Sequence, residues 1–392
     1  GNDGADCRGQ CSGAALMVAL ARKTLVYEWR RFLPAMLAVG FAGLLQLLQI
    51  ALVLGIFGST SVYVTGSAAE VWVGYPGTQS VGLGRAIDAD VASHLRMDPQ
   101  VQRVEPYLWV DGDWRGPRET GGVSVFVSGI DPAADGLMFA KVLPPALRAR
   151  LAEPDTIVID RSALDQLGVG IGQSATINGH RVRVVGIGSG LRALGGVNVL
   201  CSLETARELD NDPTDTGPTY LVAKLRDPTR AEAVAARLRG ATAFGPYTAW
   251  TARDFANRSV RYWLFDTGAG AGVLFLAGIV FLVGTVITSQ TLIAAVNGSV
   301  REYATLNALG VGVGALRKVV LEQAFWVGAL GLLGASALGL VLMLLARSQD
   351  VPVVLNVAAA LGCIALVMGL AAVSGLAAMR SLRRADPANL LR

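Results

Sequence analysis

Charge is scarce in this chain: Asp, Glu, Lys and Arg make up 16% of its 392 residues, against 52% hydrophobic. A soluble domain carries roughly 25% charge, so a wholly soluble protein is disfavoured. The scarcity is also uneven, because the apolar residues gather in long runs on either side of a middle region of ordinary composition. Histidine is scarcer still. His94 and His180 are the only two, and neither stands at a metal-ligand or nucleophile-base spacing from another candidate, so no catalytic set is visible. The four cysteines build no framework. Cys201 is alone in the middle region, Cys363 lies in an apolar run, and Cys7 and Cys11 lack a nearby His or further Cys for zinc. No G-x-x-x-x-G-K-[ST] phosphate loop occurs either, which excludes ATP hydrolysis by this chain.

What the sequence does have is four runs free of Lys, Arg, Asp and Glu: Phe32 to Phe57, Gly268 to Val296, Ala324 to Leu345 and Val351 to Met379. About 20 apolar helical residues cross a hydrocarbon core of about 30 Å, so all four read as membrane spans. The first is longer than the roughly 7 to 15 apolar residues of a cleavable signal and is expected to remain as an anchor. Basic residues mark three flanks: Arg22, Lys23, Arg30 and Arg31 before the first run, Arg301, Arg317 and Lys318 between the second and third, and Arg380, Arg383, Arg384 and Arg392 after the last. Positive flanks stay in the cytoplasm.

The expected layout follows: a cytoplasmic tail and juxtamembrane helix (1–31, with 1–16 disordered or vestigial), a span (32–57), a large outer domain (58–267), a span (268–296), a cytoplasmic loop (297–323), a span (324–345), a short outer loop (346–350), a span (351–379) and a cytoplasmic tail (380–392). Both termini are then cytoplasmic. The net charge of +4 is explained largely by these flanks and requires no nucleic-acid partner.

The outer region reads as mixed α and β, an α+β domain inserted between the first two helices. Val123 to Ile130 alternates as a strand does, Thr156 to Asp160 is a short β-branched strand followed by a helical Arg161 to Leu167, and Tyr220 to Leu225 is another strand. Asn178-Gly179 between alternating segments predicts a tight hairpin, because both turn residues must accept positive φ. Arg230 to Arg239 reads as an amphipathic helix, and Thr251 as the cap of a helix leading to the second span. Asp111-Gly-Asp113 is expected to be a polar turn, and His180 a solvated residue beside the hairpin. The aromatics Trp72, Tyr75, Tyr107, Trp109 and Trp114 admit two readings, core or partner surface, of which core is expected.

Polar and small residues stand out in the spans. Gln46 and Gln49 share one face of the first helix, and amides in lipid seek partners, so that face is expected to meet another helix within the chain or across a dimer. Gly331, Ala335 and Gly339 in the third helix, and Gly268 and Gly272 opening the second, are spaced by four, as in close helix packing. Beyond the second span, Arg301 to Gly310 continues a helical pattern. Val300, Tyr303, Ala304 and Leu306 lie on one face and Arg301, Glu302 and Thr305 on the other, with Leu309 an apolar knob on the polar side. Glycines at 310, 312 and 314 are expected to break it.

One helix, a large outer domain, three more helices and this cytoplasmic segment together resemble the MacB/FtsX-like permeases, the type VII ABC transporters. Within that family the DevC-type permease is the nearest in appearance. The resemblance rests on Tyr262-Trp263 with Thr267-Gly-Ala-Gly270, Ser289-Gln-Thr-Leu292, Glu302-Tyr-Ala-Thr-Leu306, Ala308-Leu-Gly310, Gln46 to Gln49 and the tail from Arg384 to Arg392. Asn307 departs from it, where the family motif usually has Lys. The resemblance implies a homodimer in the inner membrane. Each copy would contact a separate cytoplasmic ABC ATPase, which carries the ATP and Mg, through Arg301, Glu302, Tyr303, Leu306, Leu309 and Gly310. The outer domain would engage a periplasmic membrane-fusion adaptor. The chain itself is expected to bind no cofactor or metal and to be no enzyme. Two further roles fit the same layout: an FtsX-like regulator of a cell-wall hydrolase, and a lipoprotein-releasing permease.

Overall fold

The computed structural model describes residues 27, 29–117, 122–211, 217–239, 245–298, 313–349 and 351–382. They fall into two units, one comprising Ile56–Ala271 and the other the chain on either side of it.

Four helices are long and apolar enough to cross a membrane: span 1 (Trp29–Gly58), span 2 (Gly268–Gly298), span 3 (Val313–Ser348) and span 4 (Val357–Leu382). Two helix starts differ from the sequence expectation by more than a turn. Span 3 begins at Val313 rather than Ala324. Gly314 therefore sits inside its first turn, and Arg317, Lys318 and Glu322 extend it; the segment that glycines 310 and 312 are expected to break lies outside the described residues. Hydropathy sees only the part of a helix that would be in lipid, whereas the backbone ladder runs on through charged residues. The opposite happens at span 4, which starts at Val357 although the apolar run starts at Val351. Residues 351–356 lie along span 1 instead, Val354 N–H donating to the Ala51 carbonyl (3.1 Å), and Asn356 Oδ1 accepts from Ala359 N–H (2.7 Å) to open the helix.

Within the bundle, spans 1 and 3 cross backbone to backbone. A Cβ on Gly331 would lie 2.8 Å from the Met36 carbonyl oxygen and 3.0 Å from the Gly40 nitrogen, closer than real Cβ atoms come. Spans 2 and 4 are joined by a Ser289–Ser374 hydroxyl pair (2.8 Å). Spans 3 and 4 meet where Gly375 faces Ala324.

The inserted unit runs α1 (Val62–Thr65), β1 (Val71–Gly74), α2 (Val91–Met97), β2 (Val101–Arg115), β3 (Val123–Ile130), α3 (Pro145–Arg150), β4 (Thr156–Asp160), α4 (Leu164–Leu167), β5 (Ser174–Ile177), β6 (His180–Gly188), β7 (Val197–Ser202), α5 (Leu203–Leu209), β8 (Tyr220–Leu225), α6 (Ala231–Leu238), β9 (Thr248–Thr251) and α7 (Ala252–Arg261). The strand order β3-β7-β4-β6-β5-β2, with β2 also paired to β3, closes a six-stranded ring. Its filling includes Val110, Trp114, Val127, Ile159, Ile177, Val184 and Val199. The first half of β2 leaves the ring and joins an antiparallel sheet β2-β8-β1-β9.

That second sheet is covered on both faces, and strand alternation sorts its residues. Val71, Val73, Leu221, Ala223 and Ala249 pack with α2 and α6. Their neighbours Trp72, Tyr220, Val222 and Trp250 turn to the other side, toward α1 and α7. Trp72, Tyr107 and Trp114 are buried, Tyr75 and Trp109 half-buried, so these aromatics are mainly core.

The strands read at 123–130, 156–160 and 220–225 are present with those bounds. The Asn178-Gly179 hairpin joins β5 to β6, with φ of 53° and 85° at its two residues, and His180 is exposed. Asp111-Gly-Asp113 is not a turn. It lies inside β2, where a Cβ on Gly112 would come within 2.8 Å of Ile177 Cγ2 and 3.0 Å of Val125 Cγ2, so this glycine makes room for side chains of the neighbouring strands while the two aspartates point outward.

Candidate functional site

The chain enters the inserted unit after span 1 and leaves it before span 2, and both passages pack on one core. After Gly58, a short 3-10 turn (Ser59–Ser61) and α1 continue the helical path. Side-chain hydroxyls hold this segment together: Thr60 Oγ1 donates to the Phe57 carbonyl (2.6 Å), Ser61 Oγ to Gly58 (2.8 Å) and Thr65 Oγ1 to Ser61 (3.0 Å). Both pieces lie against α7, the last helix before span 2. Tyr63 and Val64 from the first passage share a buried cluster with Phe255 and Ala256 from the second, together with Trp72, Tyr107, Tyr220 and Trp250 of the sheet. Phe255 stacks on Trp250 (4.8 Å between ring centres) and meets Trp72 (5.6 Å).

The second passage ends in a π-helical turn, Tyr262–Asp266, built from the residues that carried part of the family resemblance. Trp263 Nε1 donates to Ser80 Oγ (3.1 Å), and Thr267 Oγ1 both donates to the Trp263 carbonyl (2.5 Å) and accepts from Gly270 N–H (3.2 Å). A side chain at Gly270 would strike the Trp263 and Leu264 carbonyls. π-turns are uncommon and concentrate at functional sites. Here the wide turn sits at the start of a span.

A strap from Asp131 to Leu143 ties the first passage to the ring. Ala68 N–H donates to the Leu137 carbonyl (2.8 Å) and Lys141 N–H to Gly66 (3.0 Å). Arg148, 2% exposed, holds the strap from beneath by donating to the Asp131 carbonyl (2.8 Å) and to the Met138 carbonyl. Glu105 of β2 accepts the Leu137 N–H (2.7 Å) and pairs with Arg103 (2.6 Å), and Arg103 also pairs with Asp131 (3.0 Å). Burial pushes the Glu105 carboxyl above its ordinary range, against the pull of the Leu137 N–H and Arg103. Burial likewise pulls the Arg148 guanidinium down, with Glu105 and Asp131 opposing. Sequence reasoning missed this network. The signal available was Glu105 directly before the apolar run Pro106 to Val110 of the strand.

The coupling residues Arg301, Glu302, Tyr303, Leu306, Leu309 and Gly310 lie outside the described residues. Among the residues singled out for helix packing, Gly331 meets span 1 as described, Ala335 is buried, and a Cβ on Gly339 would lie 3.1 Å from Leu47 Cδ2. Gln46 is 6% exposed, with its amide nitrogen 3.5 Å from where a Gly284 Cβ would be, and Gln49 is half-buried. Gly268 and Gly272 meet nothing: a Cβ on either has no neighbour within 4 Å. Among the described residues, neither is in close contact with another helix. Among the described residues, no group of three or more His, Cys, Asp or Glu is placed to hold a metal ion.

Four apolar helices with a mixed α/β unit between the first and second define a multi-pass membrane protein. Residues 35–241 match the family model of the MacB-like periplasmic core domain, and residues 274–387 match that of the FtsX-like permease C-terminal region. The chain belongs to the MacB/FtsX-like ABC transporter permeases. No curated protein matches it. Among solved structures, it is similar to the periplasmic region of MacB from Actinobacillus actinomycetemcomitans (13% identity, TM-score 0.34, covering 50% of this chain and 94% of that one). It is also similar to the extracellular domain of the ABC-type transporter YknZ from Gram-positive bacteria (10% identity, TM-score 0.32, covering 46% and 99%). A third similarity is to a domain of a permease protein from Porphyromonas gingivalis (15% identity, TM-score 0.31, covering 48% and 92%).

Proposed function

We propose that this permease transmits motion rather than forming a channel: a separate cytoplasmic ABC ATPase, holding the ATP and Mg, drives it, and the inserted domain delivers the movement to a periplasmic adaptor. The reading places a homodimer in the inner membrane with both termini cytoplasmic, in a DevC-type export complex, and the chain itself carries out no chemistry. The observation that supports it is the shared core of the two passages. Segments contiguous with spans 1 and 2 bury Tyr63, Val64, Phe255 and Ala256 in one aromatic cluster. Tightly packed interiors transmit displacement instead of absorbing it, so a shift of either passage is delivered to the sheet.

The coupling segment supplies the test. Leu309→Glu puts a charge on the proposed knob. The variant is expected to insert normally and to lose both co-purification with the ATPase and stimulation of ATP hydrolysis. A variant that still co-purifies with a fully stimulated ATPase refutes the assignment. Purification from native membranes that recovers neither an ATPase nor an adaptor refutes the transporter role.

A further inference from the structure

The helix that precedes span 2 carries a basic face with no assigned role. On α7, Phe255, Ala256 and Ser259 are buried, while Arg253, Arg258 and Arg261 are exposed on the opposite arc. A cleft of about 950 Å³ opens beside it, lined by Arg258 and Arg261, by Arg239 from the end of α6, and by Trp250 and Tyr262. That volume is in the range of small-molecule sites, roughly 300–1,000 Å³.

The cations are held but not neutralised. Arg239 Nε donates to the Ala249 carbonyl (2.9 Å), and the Arg258 guanidinium lies over the Trp250 ring (5.7 Å). Among the described residues, no carboxylate pairs with either of them or with Arg261. Two carboxylates also line the cleft. Asp254 accepts from Thr251 Oγ1 (2.8 Å), and with Asp266 it sets two negative charges against the three guanidiniums of the lining.

Chain continuity says where an anion would come from. Arg261 stands seven residues before Gly268, where span 2 begins, a π-turn and one extended residue that together cover roughly 10 Å. The residues between are Tyr262, Trp263, Leu264 and Phe265, the last 64% exposed, an aromatic composition typical of the membrane-water boundary. A basic amphipathic helix running into an aromatic belt is built to meet lipid headgroups.

We propose that this cleft binds the phosphate-bearing headgroup of an anionic phospholipid from the adjacent leaflet, with Arg258 and Arg261 on the phosphate and Tyr262 against the glycerol. Arg239 adds long-range attraction from the cleft wall. The occupant is a membrane lipid because the site is tethered within a few residues of the bilayer, and it is anionic because three guanidiniums face two carboxylates there.

The test uses the full-length protein in detergent micelles doped with phosphatidylglycerol or phosphatidylcholine, with retained lipid counted by native mass spectrometry. The wild type is expected to retain phosphatidylglycerol in preference. Arg261→Ala, which removes a side chain without an ion pair, lowers that preference roughly five-fold, as one basic residue near an anionic surface does. Arg258→Ala combined with Arg261→Ala lowers it further, while Arg181→Ala, an exposed arginine on β6, leaves it unchanged. Three results overturn the proposal: no preference in the wild type, a preference that survives Arg261→Ala, or displacement of the lipid by soluble glycerol 3-phosphate at matching concentration, which would mark a site for free phosphate esters.

Discussion

Glu105 is one of few charged groups in the inserted unit with almost no access to water. Because burial raises its folded pKa above the unfolded value, the folded state binds the proton more tightly. The sign follows from linkage: this residue's contribution is most favourable below the unfolded pKa, about 4.3, and declines as pH rises through the raised folded value. Glu105→Gln keeps an acceptor for the Leu137 N–H and removes the titration. The stability of the wild type relative to this variant is expected to fall with increasing pH and then level off, as chemical denaturation of the full chain at a series of pH values will show. Asn178 acts differently. Its side chain accepts from Asp113 N–H (2.8 Å) and donates to the Asp111 and Leu209 carbonyls (3.1 and 2.8 Å), clasping the place where β5 closes on β2. Asn178→Ala loses those bonds and keeps a non-glycine residue at positive φ, so a destabilisation of about 2 kcal/mol is expected, measurable as a lowered denaturant midpoint. The sequence showed this residue as half of a turn. Its second role could not be read, because its partners are 31, 65 and 67 positions away.

At the scale of elements, the spans and the shorter strands were legible because each is a local pattern: an uncharged run, an alternation, an Asn-Gly pair. Two kinds of error had physical causes. Apolar composition does not say whether a segment is helical: 351–356 is as apolar as a span yet runs non-helically along span 1, and the charged start of span 3 reads as loop yet is helix. Local patterns also say nothing about pairing. β2 serves two sheets, and its Asp111-Gly-Asp113 looks like a turn until the strands on either side are known. Of the helix-packing residues, the glycine spacing was informative only where another backbone came near. Gly331→Val is therefore expected to push spans 1 and 3 apart and cost about 1–3 kcal/mol. Gly334→Val, where a Cβ meets nothing within 4 Å, is expected to change little. Thermal unfolding of the two variants in detergent, compared side by side, checks the contrast.

For the whole molecule, the inserted unit is fastened at both ends to one aromatic core, and that core should set the stability of the unit. Phe255→Ala removes a fully buried ring that touches Trp72, Tyr220 and Trp250. The expected cost is about 3–5 kcal/mol, or roughly 10 °C in the domain's transition, seen by calorimetry of the purified chain, while the spans still insert. The closed ring has a consequence of another kind. Many proteins recruit peptides by offering the unpaired edge of a sheet, to which an extended segment adds as one more strand. Six strands paired all the way round have no such edge. Any partner that grips the ring must do so through side chains and loops, and strand addition in this unit is confined to the four-stranded sheet, where β9 has β1 as its only strand neighbour among the described residues.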